Sequence, residues 1–301
     1  MLPHFDLDDR AAYLAWRARK LQRYPRSVDE LVVEIADPFR LTAAERDALL
    51  DRCERANMAI YVTACAPAQA KDALRALAGQ LGLRTLDPNY LADDDGISPI
   101  AVAAGGVRGD FIPYTDRAIR WHTDGYYNPP GKTIRAMALH CVERAESGGE
   151  NRLLDHELAY IALRDADPAY VRALMQPDAM SIPARESDGE IARGDQSGPV
   201  FSFGADGRLH MRYTARTRSI AWKDDPDVAA ATALLARVLD GDPHILRVRL
   251  EPGMGIVCNN VLHDRAAFAD SEARRRLVLR ARFYEAITVA DTRSPRVAAA
   301  A

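Results

Sequence analysis

Gly255-Ile256-Val257-Cys258-Asn259-Asn260-Val261-Leu262-His263 is a run of β-forming residues that ends on a histidine. Pro252-Gly253 separates it from a β-prone run at Leu246 to Leu250, and a second run follows at Leu277 to Tyr284. Earlier in the chain come Ile134 to Val142, Val200 to Phe203 and Leu209 to Tyr213, with turn residues at Gly148-Gly149 and Asp206-Gly207. Two helical patterns interrupt the series, near Glu157 to Arg164 and Asp227 to Leu239. Many short strands with long excursions between them predict an antiparallel sandwich or jelly roll rather than alternating βαβ units.

The first hundred residues read as mainly helical. Ser27 with Glu30 and Thr42 with Glu45 are capping-box pairs, each placed before an apolar pattern. Leu31, Ile35, then Leu49, Leu50 and Cys53 recur at spacings that suit a buried helix face. Ala59 to Val62 reads as a short buried strand, Ala68 to Leu83 as a helix, and Asp93 to Gly96 as a turn. The expected fold class is therefore α+β. One domain spans residues 1–301, with a helical region over 1–100, a double-stranded β-helix (jelly-roll) core carrying helical insertions over 101–290, and an unstructured tail over 291–301.

Apolar residues are 48% of the 301 and charged residues 28%, the balance of a soluble enzyme. A formal net charge of −3 gives no electrostatic reason to expect nucleic acid as a partner. Cys53, Cys65, Cys141 and Cys258 lack metal-knuckle spacing and read as reduced, mostly buried thiols. The acidic start MLPHFDLDDR does not resemble a signal peptide, and no window approaches the roughly 18 apolar residues of a membrane span. The expectation is a cytoplasmic protein without a membrane partner, whose apolar N-terminal region could serve a homo-oligomer.

Chemistry concentrates in Arg120-Trp121-His122-Thr123-Asp124-Gly125. Residues two apart on a strand share a face, so His122 and Asp124 can reach one metal ion. His263, emerging at the end of its strand, is the candidate third ligand. Two imidazoles and a carboxylate leave open positions on an octahedral ion, the donor set of non-haem iron(II) oxygenases. Alone, a His-x-Asp is better read as a histidine hydrogen-bonded to its neighbouring carboxylate at a strand end.

Four elements in order carry a resemblance: His122/Asp124, the turn Gly148-Gly149-Glu150-Asn151, the distal His263, and Arg275-Arg276-Leu277-Val278-Leu279-Arg280. Over roughly residues 110–285 the chain resembles the taurine dioxygenase and clavaminate synthase-like oxygenases. The resemblance implies iron(II) held by His122, Asp124 and His263, with 2-oxoglutarate as cosubstrate and O2 as oxidant. It implies that Arg276 binds the far carboxylate of 2-oxoglutarate, and that Arg280 meets either the inner carboxylate or an anionic group of the substrate. Asn151 stands where the taurine enzyme has a threonine that bonds the cosubstrate. The implied outcome is hydroxylation of an unactivated carbon with release of succinate and CO2. The carboxylate ligand Asp124 argues against halogenation, since halogenases of this type carry a small residue there.

Tyr126, Tyr127, Asn128 and Arg212, together with Arg280, are the candidate substrate contacts, and they suit a small anionic or zwitterionic molecule such as an amino-acid derivative or a sulfonate. Arg274, Arg275 and Arg282 read as a solvated basic edge. His140 reads as a core residue, His156 as part of a helix start, and His210 as pocket wall or structural network; His4 and His244 have no company. Two alternatives remain at this point: a zinc hydrolase on the same ligands, and a non-catalytic regulator that binds metal and 2-oxoglutarate.

Overall fold

The structure, a computed structural model, describes residues 1–88, 92–187 and 190–288, so the tail expected over 291–301 lies outside it. In chain order the strands that build the sandwich are β1 (Val32–Ile35), β2 (Met58–Thr63), β3 (Ser98–Ile100), β4 (Ile119–His122), β5 (Ala136–Glu143), β6 (Asn151–Leu154), β7 (Leu246–Val248), β8 (Met254–Cys258), β9 (Leu262–Arg265) and β10 (Leu277–Phe283). Six of them form a sheet in the order β1-β2-β8-β5-β10-β3, and four form a second sheet in the order β7-β6-β9-β4. The pairings are antiparallel except β1 with β2. This is the jelly-roll core that the strand pattern predicts.

The run that ends at His263 is not one strand. β8 stops at Cys258, the chain turns at Asn259-Asn260, and β9 begins at Leu262 in the other sheet. Asn260 takes a left-handed φ of 50°, which asparagine tolerates better than other residues bearing a Cβ. One core cluster fills the sandwich, drawing Met137, Cys141, Ile256 and Val278 from the larger sheet and Leu153, Leu246 and Val248 from the smaller.

The outer face of the larger sheet buries Ala138, Val257, Leu279 and Phe283 beneath two helices. These are α2 (Ala43–Ala56) and α3 (Ala70–Gln80), which follow α1 (Arg10–Arg23). The Thr42–Glu45 box caps α2 in both directions, with the Thr42 hydroxyl accepting from the Glu45 amide and the Glu45 carboxylate accepting from the Thr42 amide. Leu49 and Leu50 of α2 and Leu74 and Leu77 of α3 are buried, each contributing about 1.5–3 kcal/mol through the area it removes from water. In the second half, α4 (His156–Ala166), α5 (Pro168–Leu174) and α6 (Pro226–Gly241) pack into the sandwich core; the pattern anticipates α4 and α6 but not α5.

Two expectations are corrected. Ser27 makes no capping bond and starts only a single 3-10 turn, Val28–Leu31, after which the chain is extended. Leu31, Val33 and Ile35 are buried while Glu34 is exposed, the alternation of a strand. Arg282 is not on a solvated edge: β10 lies between β5 and β3, and Arg282 is among the largest fully buried side chains. Along β10 the residues Val278, Arg280 and Arg282 face the sandwich interior, whereas Leu279, Ala281 and Phe283 face the helices. Among the described residues no helix is long and apolar enough to cross a membrane.

Candidate metal centre

β4 and β9 are hydrogen-bonded neighbours, and their register sets His263 directly opposite His122. The two imidazole centroids are 4.2 Å apart with planes inclined by 48°. Asp124 follows just beyond β4, its Oδ1 3.7 Å from His122 Nε2. One ligand atom from each of His122, Asp124 and His263 lies within 4.8 Å of the others. The sequence places these residues 141 positions apart (263 − 122), and the register of two strands brings them together.

Hydrogen bonds orient both rings. His122 Nδ1 is 2.9 Å from the Arg120 carbonyl, and His263 Nδ1 is 2.9 Å from the Val261 carbonyl. A carbonyl can only accept, so each Nδ1 carries the proton and each Nε2 keeps its lone pair for a metal. Burial, reinforced by the neighbouring His263, pushes the His122 ring down to about 3, so it binds at neutral pH without first losing a proton. Burial alone would raise Asp124, but the guanidinium groups of Arg280 and Arg282 hold its carboxyl well below the usual range. Asp124 Oδ2 is buried without a hydrogen-bond partner. An anionic oxygen, orphaned beside two imidazole lone pairs, fits a bound cation.

Asn260 clamps the same ligand through its backbone. Its Oδ1 accepts from the Asp124 amide at 2.7 Å, and its Nδ2 donates to the carbonyls of Asp124 (2.9 Å) and Ile134 (2.7 Å). Sequence reading missed this residue.

A second set of unpaired groups lies beyond the metal ligands. Asn151 on β6 has a buried Nδ2 without an acceptor, and Arg276 has a buried Nη1 in the same condition. Arg276 is 7% exposed; its backbone amide donates to Asp270 Oδ1 at 3.0 Å, and its guanidinium lies over Phe268. The Gly-Gly turn permits this packing. Gly148 has φ 71°, and a Cβ there would sit 2.3 Å from the Ala267 carbonyl oxygen, a clash with backbone that cannot yield. Two buried donors lacking acceptors are complementary to carboxylate oxygens, so the residues present fit a diacid chelated to the metal.

The proposed substrate contacts divide. Tyr126 is edge-on to His122 at 6.4 Å, and Tyr127 edge-on to Tyr126 at 5.1 Å. Tyr127 Oη accepts from Arg282 Nη1 at 2.8 Å, while Arg282 also pairs with Asp87. Arg280 Nη1 reaches Asp124 Oδ1 at 3.2 Å. Asn128 closes the turn instead, its Nδ2 donating to the Lys132 carbonyl at 2.9 Å. Arg212 is likewise committed to the scaffold, donating to the carbonyls of Tyr126, Met180, Gly198 and Gln196. Arg216, which the sequence reading did not single out, lies 5.7 Å over the Tyr126 ring.

The other histidines are not brought to the centre. His140 is buried against Tyr61 and Cys65, His156 against the Leu209 carbonyl, and His210 is buried on the strand Leu209–Met211. His4 does have company, stacking on Trp16 at 4.8 Å, and so does His244, whose Nδ1 is 2.8 Å from Asp242 Oδ1.

The model of the taurine catabolism dioxygenase TauD, TfdA family matches residues 18–282. The chain belongs to this family. A curated relative, a uridine-5'-phosphate dioxygenase from a Streptomyces species, is 31% identical over 202 residues, covering 64% of this chain and 71% of that protein. Among solved structures, the non-heme iron oxygenase OrfP in complex with Fe and alpha-ketoglutaric acid shares the fold at a TM-score of 0.60 and 16% identity, over 82% of this chain and 81% of its own. An asparagine oxygenase does so at a TM-score of 0.53 and 13% identity, over 80% and 84%. The chain is an iron(II)- and 2-oxoglutarate-dependent dioxygenase that acts on a small molecule. Membership removes the zinc-hydrolase alternative.

Proposed function

We propose that His122, Asp124 and His263 hold the iron, that Arg276 and Asn151 receive the 2-oxoglutarate, and that the substrate is a small anionic or zwitterionic molecule hydroxylated at an unactivated carbon. The observation that carries the assignment is the set of buried atoms without partners: Asp124 Oδ2, Asn151 Nδ2 and Arg276 Nη1. Buried polar groups are usually paired, so an anionic oxygen and two donors left open among these residues are groups that a ligand can complete. When bound, iron and 2-oxoglutarate supply the oxidising power, with O2 consumed as the diacid becomes succinate and CO2.

The chain's own residues do the rest. His122 and His263 present fixed lone pairs, and Asp124 supplies the negative charge. Arg276 offers a planar fork to a carboxylate, and Arg280 places a cation beside the carboxylate ligand, within reach of an anionic substrate. Tyr126 and Tyr127 form an aromatic wall bearing hydroxyl groups, with Arg216 over one ring and Arg282 on the other. Cations beside edge-on phenols favour an anion attached to a flat or apolar body. The relative named for uridine-5'-phosphate extends the candidate class from sulfonates and amino-acid derivatives to phosphate esters.

O2 uptake and succinate formation, measured with iron(II) and 2-oxoglutarate while uridine-5'-phosphate, taurine and amino acids are added in turn, test both parts. We expect one anionic or zwitterionic compound to accelerate turnover, and His263→Ala to abolish it with unchanged circular dichroism. Turnover like wild type in that variant contradicts the ligand set. Stimulation only by molecules that carry no anionic group contradicts the substrate class.

A further inference from the structure

Phe268 has two buried cations against it. The guanidinium carbon of Arg265 lies 4.8 Å from the ring centroid and that of Arg276 5.2 Å. Arg265 is only 3% exposed. Among the described residues, the acids ion-paired to buried or half-buried arginines of β6 and β10 serve Arg152, Arg280 and Arg282, and none serves Arg265 or Arg276. Arg265 instead donates to three carbonyls of one loop, those of Pro113, Thr115 and Arg117, while its Nε has no partner.

Carbonyl oxygens satisfy N–H groups without neutralising the charge. Pinning the 113–117 loop takes three N–H donors, one more than a neutral amide offers, so the guanidinium serves the loop and also brings a buried positive charge to this place. A second positive charge placed beside Arg276, with Asp116 and Asp270 near the pair but neither ion-paired to a guanidinium, is only partly answered until an anion arrives. The turn that packs on Arg276 also packs on this pair: Gly148 is paired with Phe268, and a Cβ on Gly149 would touch Phe268 Cβ and Arg276 Nε at 3.5 and 3.7 Å.

We infer that Arg265 is an electrostatic positioning residue for the cosubstrate: its charge, acting beside Arg276 and across Phe268, selects a 2-oxo acid that carries a far carboxylate, without touching that carboxylate. This rests on the reading that Arg276 receives the far carboxylate. Because β9 carries both His263 and Arg265, one strand sets the metal end and the charge behind the diacid's other end.

The test needs only the protein, iron(II) and two ligands under anaerobic conditions. 2-Oxoglutarate and 2-oxopentanoate have the same five-carbon chain, but the second ends in a methyl group where the first has its far carboxylate. Both give the metal-to-ligand charge-transfer band from which affinity is read. We expect Arg265→Met to weaken 2-oxoglutarate about tenfold or more, the scale of one charge acting across a partly buried gap, and 2-oxopentanoate less than about twofold. Arg265→Lys, which restores the charge but not the three-carbonyl fork, should hold 2-oxoglutarate within about threefold of wild type.

Equal weakening of both acids by Arg265→Met, or weakening by Arg265→Lys as large as by Arg265→Met, assigns Arg265 to the loop scaffold and overturns the inference. So does an unchanged affinity in both variants. Arg276→Met, run alongside, separates the two readings. If it leaves 2-oxoglutarate binding unchanged, the anchoring role of Arg276 falls, and the inference with it. If it weakens binding while Arg265→Met does not, the inference alone falls.

Discussion

Asn260→Ala removes a side chain that makes three hydrogen bonds in a site 1% exposed. The Asp124 amide and the carbonyls of Asp124 and Ile134 are then buried without partners. Each such group costs about 1–3 kcal/mol, and partial relaxation brings the sum to roughly 3–6 kcal/mol. Alanine at a left-handed φ of 50° adds about 1 kcal/mol. The loss falls on the segment that aims Asp124, so iron affinity should drop about 10–100-fold, as it does when other residues that orient a ligand are removed. Anaerobic calorimetric titration with iron(II), paired with urea unfolding, measures both effects. Asn260→Asp should fare no better, because it keeps an acceptor for the Asp124 amide but loses both donors. Iron affinity within twofold of wild type, in a variant whose unfolding free energy has fallen by less than about 1 kcal/mol, would refute the clamp.

Other perturbations test neighbouring parts of the account. In Gly125→Ala the new Cβ would lie 2.4 Å from Ile134 Cγ1 at a φ of +71°, so the loop after Asp124 must shift and turnover should fall at least about tenfold; full activity would show that the loop adapts freely. Asp87→Ala leaves Arg282 charged and buried without its carboxylate, a loss of about 3–5 kcal/mol in urea unfolding, and the double change Asp87→Leu with Arg282→Met should recover most of it. A single variant within about 1 kcal/mol of wild type would contradict that pairing. Burial pushes His210 down to about 3 from an ordinary 6.5, so its contribution to stability is complete above pH 6.5 and is lost as pH falls from 6.5 toward 3. The slope reaches about 1.4 kcal/mol per pH unit. His210→Leu should flatten the dependence of the urea midpoint between pH 6.5 and 4.5, and parallel curves for the two proteins would count against it.

That His122, Asp124 and His263 come together was partly legible: His122 and Asp124 are two apart in sequence, but Asp124 lies just past the end of β4, and His263 sits near the start of β9 rather than at the end of a strand. The clamp by Asn260 was not, because its partners are backbone groups 136 and 126 residues away, and a hydrogen bond to a backbone carries no sequence signature. Leu31 and Ile35 were misread because a spacing of four satisfies both a helical period and a strand period of two. Val33 between them, buried and β-branched, was the residue that distinguished the two. Arg282 was assigned to solvent because Asp87, which neutralises it, is 195 positions away. Arg212 and Asn128 had the right chemistry for substrate but are used up by carbonyls that only the fold brings near.

Diffraction at the iron absorption edge, from crystals grown anaerobically with iron(II) and 2-oxoglutarate, measures the metal's position directly. A single anomalous peak should lie about 2.0–2.2 Å from His122 Nε2, His263 Nε2 and an oxygen of Asp124, with the diacid running from it toward Arg276. A peak ligated by other residues, or a well-ordered diacid whose far carboxylate points away from Arg276, would contradict the account.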